Sequence, residues 1–429
     1  MSSILIFRRK FFPLFSLQLF SALNDNLLKN AVLIIITFDS IHTSIIPKEQ
    51  LATLASFLFV LPFFLFSSYA GKLADTYNKR TIVQIIKWAE LVIMLISAIG
   101  IYQDSYLILL LMIFAMGIHA AFFGPIKYSW LPRLVNNSKE LFDANGYVEL
   151  GTFIAILYGQ MLGVFLSAGH YSLYLVVCLI VIAIIGLVLS YLLPNSETSE
   201  ERLVLHKNFI KDSYVMYKAV TQDLAIKLNL HAISWFWLLG VVYLTDLPVF
   251  TLRYMGADAN TYGVMVSFFS FSIGIGSLLA AKIAKGVLKP NYVLFSGVAM
   301  SLFTFALLLL HTHEQHANIV PTTLLHMLSS YRFYLSLAFI TGVGLSAGCY
   351  SVTCYNEMQV ISPDNIRSQI VSANNILNSL YMVLGTVLSS VLLLYFSLWQ
   401  FLCLLMWFNI FYVVNWIRIK RHSTSHDVI

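Results

Sequence analysis

The stretch "QLFSALNDNLLKNAVLIIITF", Gln18 to Phe38, is mostly Leu, Ile, Val, Phe and Ala, yet its middle holds Asn24, Asp25, Asn26, Lys29 and Asn30. It has the length and apolar content of a helix that crosses a bilayer, which takes about 20 residues. At about 100° per residue, Gln18, Ala22, Asp25 and Lys29 fall within a wedge of about 40° to 60°, with Asn24 and Asn26 on its flanks. A charge at mid-bilayer costs about 2.5–3.5 kcal/mol on insertion scales. The stripe is therefore expected to face a wet cavity or a polar partner. Asp25 and Lys29 are also four residues apart and can pair with each other, which would make them a packing lock instead.

The whole chain follows the same pattern. Of its 429 residues 59% are hydrophobic and only 11% charged, and the mean hydropathy is +0.80. Soluble domains are about 25% charged. So few ionic groups could not cover this much apolar surface, so the bilayer is expected to be the solvent for most of the chain. Twelve spanning helices are expected, at roughly 11–38, 50–71, 81–101, 105–127, 144–168, 171–193, 225–250, 261–284, 291–311, 333–357, 366–394 and 397–417. The opening "MSSILIFRRKFFPLF" looks like a signal peptide, but no small-residue cleavage pattern follows. It reads as the start of a retained first span.

Orientation follows from the basic residues. With the N-terminus in the cytoplasm, the outward segments hold only Lys48, Arg253 and Arg332, and Lys29 and Lys87 lie within spans. The other 21 of the 26 lysines and arginines fall on the cytoplasmic side. Both termini are then expected inside. The net charge of +6 thus marks a membrane topology and gives no indication of a nucleic-acid partner.

The longest polar stretch, Pro194 to Asp223, follows the sixth span and divides the chain into two sets of six. The expected organisation is an N-terminal half at 1–193, a cytoplasmic linker at 194–224 and a C-terminal half at 225–429. A faint repeat supports this: Ala144-Asn145-Gly146 and Ala373-Asn374-Asn375, 229 residues apart, each follow the fourth span of their half.

"GKLADTYNKR", Gly71 to Arg80, lies between spans two and three. It resembles the signature loop of the major facilitator superfamily, with Asn78 where that loop has glycine. Asn tolerates left-handed backbone, so the turn is expected to survive. Gly71 permits close helix approach, Asp75 suits a helix N-terminus, and Lys79 and Arg80 can bridge to neighbouring acids. The expected role of these four is conformational switching.

Few other ionisable residues lie within spans. Lys87 and Glu90, three apart, suit a structural pair. Glu149 lacks an obvious local partner, and Asp246 lies in "YLTDLPVF", where Pro248 is expected to loosen the helix. Glu357 is expected as an interfacial anchor, and His119 and His231 as hydrogen-bonded packing residues. His311, His313 and His316 flank Glu314 in an outward loop, where solvation is the simplest reading. Cys178, Cys349, Cys354 and Cys403 have no zinc or redox spacing and read as small apolar residues. No phosphate-cradling Gly-x-x-x-x-Gly-Lys-Ser/Thr occurs, which argues against direct ATP drive. No nucleophile–base pair shares a helix face, so an enzyme is not expected, nor is a metal or other cofactor.

Several segments together resemble the lysophospholipid transporter (LplT) family of the major facilitator superfamily. These are "FFPLFSLQLFSALNDNLLKNA" (11–31), "LPFFLFSSYAGKLAD" (61–75), "AFFGPIKYSWLP" (121–132), "ANGYVELGTFIAILYG" (144–159), "SWFWLLGVVYLT" (234–245), Ser272 to Ala280 and "VSANNILNSLYMV" (371–383). The Asn-Asp-Asn-x-x-Lys-Asn-Ala cluster is the most specific of them. The resemblance implies an all-α membrane fold of two six-helix halves. It also implies movement of lysophospholipids, chiefly lysophosphatidylethanolamine, from the outer to the inner leaflet of a bacterial inner membrane, followed by reacylation.

The resemblance carries the polar first-helix motif onto Asn24, Asp25, Asn26 and Lys29. The seventh span lacks the mid-span arginine associated with stand-alone members and looks closer to the module fused to an acyltransferase and acyl-carrier-protein synthetase. With the chain ending at Ile429, that enzyme is expected as a separate partner. A substrate site is expected from Gln18, Asn24, Asp25, Asn26, Lys29, Glu149 and Asp246. Two other readings stay open: a proton-coupled exporter of drugs, siderophores or similar amphipathic metabolites, with Asp25, Glu149 or Asp246 carrying protons, and a membrane lipid sensor or scaffold without turnover.

Overall fold

The computed structural model describes residues 5–38, 48–167, 172–195, 209–284, 290–312 and 322–426. The described residues form α1 (Phe12–Phe38), α2 (Lys48–Thr76), α3 (Lys79–Tyr102), α4 (Tyr106–Trp130), α5 (Ser138–Ser167), α6 (Ser172–Tyr191) and α7 (Phe209–Val220). They continue with α8 (Leu224–Arg253), α9 (Ala259–Ala284), α10 (Asn291–Leu310), α11 (Leu324–Met327), α12 (Tyr331–Ile361), α13 (Arg367–Leu392) and α14 (Leu398–His426). Twelve of these are long and apolar enough to cross a membrane. The shortest, α6 and α10, have 20 residues. At about 1.5 Å per residue that matches the hydrocarbon core of about 30 Å. Each of the twelve expected spans coincides with one of these helices.

The helix ends differ from expectation where polar residues continue a helix. Gly71 and Asp75 lie in the last turns of α2, and the connection to α3 is only Tyr77 and Asn78. Asn78 has φ −58°, so the left-handed turn expected there does not form. Instead its Oδ1 accepts from Arg80 N at 3.0 Å and caps α3. Asp223 caps α8 in the same way, accepting from Ala225 N at 2.7 Å and Ile226 N at 3.1 Å. Pro248 does not end α8, which runs on to Arg253.

The distribution of side chains on α3 shows which solvent the fold was built for. Ile85, Trp88, Val92, Leu95 and Ile99 are exposed, whereas Lys87 and Glu90 are buried. In water this arrangement would be inside out. In hydrocarbon it is the stable one, because exposed backbone is already paired within the helix and charges are costly on the lipid side.

Contacts divide the chain into two compact units. The first holds Met1–Ala144, Ile154–Gln222 and Gln359–Ser379, and the second Asn145–Phe153, Asp223–Met358 and Leu380–Ile429. In the first unit, α1, α3, α4 and α6 share an apolar core that includes Leu28, Val32, Met94, Ile113 and Leu179. Helices approach closely at glycines: a Cβ on Gly159 of α5 would lie 2.6 Å from Leu23 O and 2.8 Å from Asn26 Cβ of α1. Of the linker, residues 194–195 and 209–224 are described, and its helix α7 docks on α2. Its Asp212 is fully buried, accepting from Lys72 Nζ at 2.5 Å and from Ser68 Oγ.

In the second unit, Gly276 of α9 abuts the backbone of α12 at Leu345, and Gly348 of α12 abuts α9 at Ile273. Small residues let helices pack where no hydrophobic force drives them together in lipid. Buried amides add polar links: Asn409 of α14 donates to Gly297 O and Ser301 Oγ, both at 2.9 Å, and accepts from Trp235 Nε1 at 2.8 Å. Glu357, expected as an interfacial anchor, is instead buried against Lys420 of α14. His311, expected to be solvated, is also buried, with Nε2 at 2.8 Å from Ser336 Oγ. His313, Glu314 and His316 lie outside the described residues.

Candidate functional site

The polar residues of α1 turn out to be the edge of a larger cluster in the first unit. Asn24, with no exposed surface, donates from Nδ2 to Glu90 Oε1 of α3 at 2.8 Å and to Leu179 O of α6 at 3.4 Å. On α3, one turn separates Lys87 from Glu90, and Lys87 Nζ lies 2.6 Å from Glu90 Oε2. The same ammonium donates to Ser21 Oγ of α1 at 2.8 Å. It also sits 4.9 Å from the centre of the Phe123 ring of α4. The expected Lys87–Glu90 pair therefore exists, and its further partners come from two other helices.

His119 of α4 completes the cluster. Its Nε2 is 3.2 Å from Glu90 Oε2 and 3.5 Å from Lys87 Nζ. Its Nδ1 faces Asp25 Oδ1 of α1 at 3.7 Å. The ring of Phe123, one turn on, stacks on it at 6.3 Å. His119 was expected only as a packing residue, because nothing in its own segment shows that α1 and α3 bring two carboxylates to it.

Asp25 and Lys29 do not form an ion pair with each other. Lys29 Nζ lies 5.4 Å from the centre of the Phe59 ring of α2, a cation–π contact. The Asp25 carboxyl retains 15% of its exposure. Lys29 is likewise half-buried. The other members of the stripe are turned inward. Gln18 is buried, and Asn26 donates to Ala22 O of its own helix at 2.8 Å while its Cβ packs on Gly159. One face of α1 thus presents an acid and a base a turn apart, backed by a buried ionic cluster and bordered by aliphatic residues.

Glu149 and Asp246 belong to the second unit, where both are buried. Asp246 accepts from Ser389 Oγ at 3.0 Å and 3.2 Å to its two oxygens and borders a small cavity with Tyr243, Phe250 and Thr304.

The residues expected to act as a switch gather at another place in the first unit. Asp75 Oδ1 accepts from Ser368 N at 3.0 Å and Oδ2 from Gln369 N at 3.1 Å, two of the free amides in the first turn of α13. A helix N-terminus favours an anion at this position. Lys79 Nζ lies 3.9 Å from Asp75 Oδ1 and donates to Ser368 Oγ at 3.1 Å. Arg80 donates to Tyr191 O at 2.8 Å and Asn195 Oδ1 at 3.1 Å. A Cβ on Gly71 would collide with Ser372 of α13. Among the described residues no group of His, Cys, Asp and Glu could hold a metal ion.

Comparisons with known proteins bear on this arrangement. Residues 14–386 match the model of the Major Facilitator Superfamily. The lysophospholipid transporter LplT of Yersinia pestis (strain Pestoides F) is 26% identical over 267 residues, which is 62% of this chain and 62% of that protein. The same protein of Yersinia pseudotuberculosis serotype O:3 (strain YPIII) matches equally. The alignment therefore spans less than two thirds of these relatives. Two solved structures share the fold: a bacterial homologue of the iron transporter ferroportin in an outward-facing state, with TM-score 0.66, 13% identity and coverage of 96% of this chain and 99% of that one; and FucP in the outward conformation, with TM-score 0.67, 11% identity and coverage of 95% and 98%.

Proposed function

This chain belongs to the major facilitator superfamily of transporters, and from that membership we propose that it moves lysophospholipids, chiefly lysophosphatidylethanolamine, from the outer to the inner leaflet of a bacterial inner membrane. Both termini then face the cytoplasm. A separate acyltransferase restores the second chain there. The alternating access of its fold class carries the lipid, with Gly71, Asp75, Lys79 and Arg80 as the switch and Glu149 and Asp246 as contributions of the second unit.

The observation that carries this reading is the placement of Asp25 and Lys29. They are half-buried, a turn apart and unpaired with each other, on a helix whose other residues are mostly apolar. A lysophospholipid headgroup such as phosphoethanolamine is a phosphate and an ammonium a few atoms apart, on a single acyl chain. Lys29 meets the phosphate by a charge-assisted contact and Asp25 the ammonium. Gln18, Asn24 and Asn26 hold α1 in register, so that the two charges stay exposed to the lipid path. The partial identity to LplT proteins supports the same substrate class.

Purified protein in phosphatidylcholine vesicles tests this. Labelled lysophosphatidylethanolamine added outside should become protected from extraction by albumin, and diacyl phosphatidylethanolamine should not. Equal protection in empty vesicles would reject the proposal.

A further inference from the structure

His119 lies between two carboxylates. Nε2 faces Glu90 Oε2 at 3.2 Å and Nδ1 faces Asp25 Oδ1 at 3.7 Å. A neutral imidazole carries one N–H and can donate to only one of them. Neither His119 Nδ1 nor Asp25 Oδ1 has a hydrogen-bond partner, although both atoms are buried. Buried polar atoms without partners are costly and are rarely kept without a use.

The cluster has two self-consistent states that differ by one proton. In one, Lys87 turns its third hydrogen, not needed by Glu90 or Ser21, towards Nε2. The ring is neutral, and Lys87, Glu90 and Asp25 together carry one net negative charge. In the other, the ring is doubly protonated and donates to Glu90 at one end and Asp25 at the other. The cluster is then neutral. We propose that His119, bridging Glu90 and Asp25, is a proton-binding site whose loading and unloading accompany transport.

The groups around the ring come from three helices. Asp25 and Lys29 lie on α1, with Lys29 turned to Phe59. Lys87 and Glu90 come from α3. α4 adds Lys127, whose Nζ lies 4.7 Å from the centre of the Tyr128 ring. Residues 154–167 of α5, which pack on α1 at Gly159 and Gly163, and all of α6 contain no acidic or basic side chain, the charges of the first turns of α5 being Lys139, Glu140 and Asp143; Lys72 of α2 is paired with Asp212. The proton enters at the Asp25 end, the only exposed edge of the cluster, because Glu90 and Lys87 are sealed. It leaves the second oxygen of Asp25 free for a cationic headgroup, so proton and lipid bind together. Acid on the outer side then drives lipid inward.

This inference rests on the lysophospholipid reading, and the test separates the two. Wild type and His119→Gln are reconstituted in phosphatidylcholine vesicles. Inward movement of labelled lysophosphatidylethanolamine is followed with and without a gradient of one pH unit, acid outside. For one proton per lipid, the gradient should raise the wild-type distribution ratio by up to about tenfold. The ratio of rates with and without gradient should fall to about one in His119→Gln, whatever its absolute rate. A wild type that moves lysolipid with no response to the gradient overturns the proton site and leaves the transport reading intact.

Should the wild type move no lysolipid, the transport reading fails alone. The proton site is then decided by proton uptake of the detergent-solubilised proteins, followed with an indicator dye in unbuffered solution as the pH is lowered from about 8 to about 5. The wild type should bind one proton more than His119→Gln, and superimposable curves overturn the proposal.

Discussion

Lys87 is wholly buried and is matched by Glu90, by Ser21 and by an aromatic face. Removing one partner of such a pair costs more than removing both, because it leaves a lone charge out of water. Lys87→Met should therefore destabilise the protein by about 3–5 kcal/mol. Lys87→Met combined with Glu90→Leu should recover much of the loss, measured as the unfolding midpoint in detergent. Equal loss in single and double variants would mean that the pair is not sealed as described. The i, i+3 spacing made this pair legible in the sequence, as did the stripe on α1. His119 was legible only as a residue needing a partner, since the carboxylates that face it come from 29 and 94 positions away in the chain. Spacing arguments work within a helix and carry no information about which helix lies opposite.

The helices themselves were the most legible level, because the bilayer demands long apolar runs and α-helical pairing of the backbone. Their ends were less so, since polar residues such as Asp75 and Glu357 continue a helix when a partner awaits them. Close packing between elements makes sharper predictions. Gly159→Val would press on Leu23 O and Asn26 Cβ of α1. Overpacking of this kind costs about 1–3 kcal/mol, so the variant should lose stability and turnover together, whereas Gly240→Val, at a glycine with nothing within 4 Å, should leave both unchanged. The linker helix α7 is tied to α2 through Asp212, Lys72 and Ser68. Asp212→Ala should release it and speed proteolysis between residues 209 and 223. At the end of α10, burial pushes the His311 imidazole down to about 4, with Arg332 adding to the effect. A histidine held neutral by folding stabilises the protein above its unfolded value of about 6.5 and loses that contribution as pH falls towards 4. Wild-type stability should drop more steeply over that window than that of His311→Gln; parallel curves would contradict the burial.

At the scale of the molecule, twelve spans require both termini and the α6–α7 connection on one side of the membrane. With the native cysteines replaced, Asn195→Cys and Asp364→Cys should label from the cytoplasm, and Gln103→Cys and Arg253→Cys from outside. The grouping of residues 145–153 and 359–379 with helices distant in sequence was not legible from chain order. The central claim, that Lys29 meets a lipid phosphate, has one direct measurement. Binding of lysophosphatidylethanolamine and of a monoacylglycerol with the same chain is compared for wild type and Lys29→Gln. A charge-assisted contact is worth about 1.5–3 kcal/mol, so Lys29→Gln should weaken binding of the phosphate-bearing lipid by about tenfold or more and leave the monoacylglycerol unaffected. Equal weakening of both lipids, or of neither, would contradict the account.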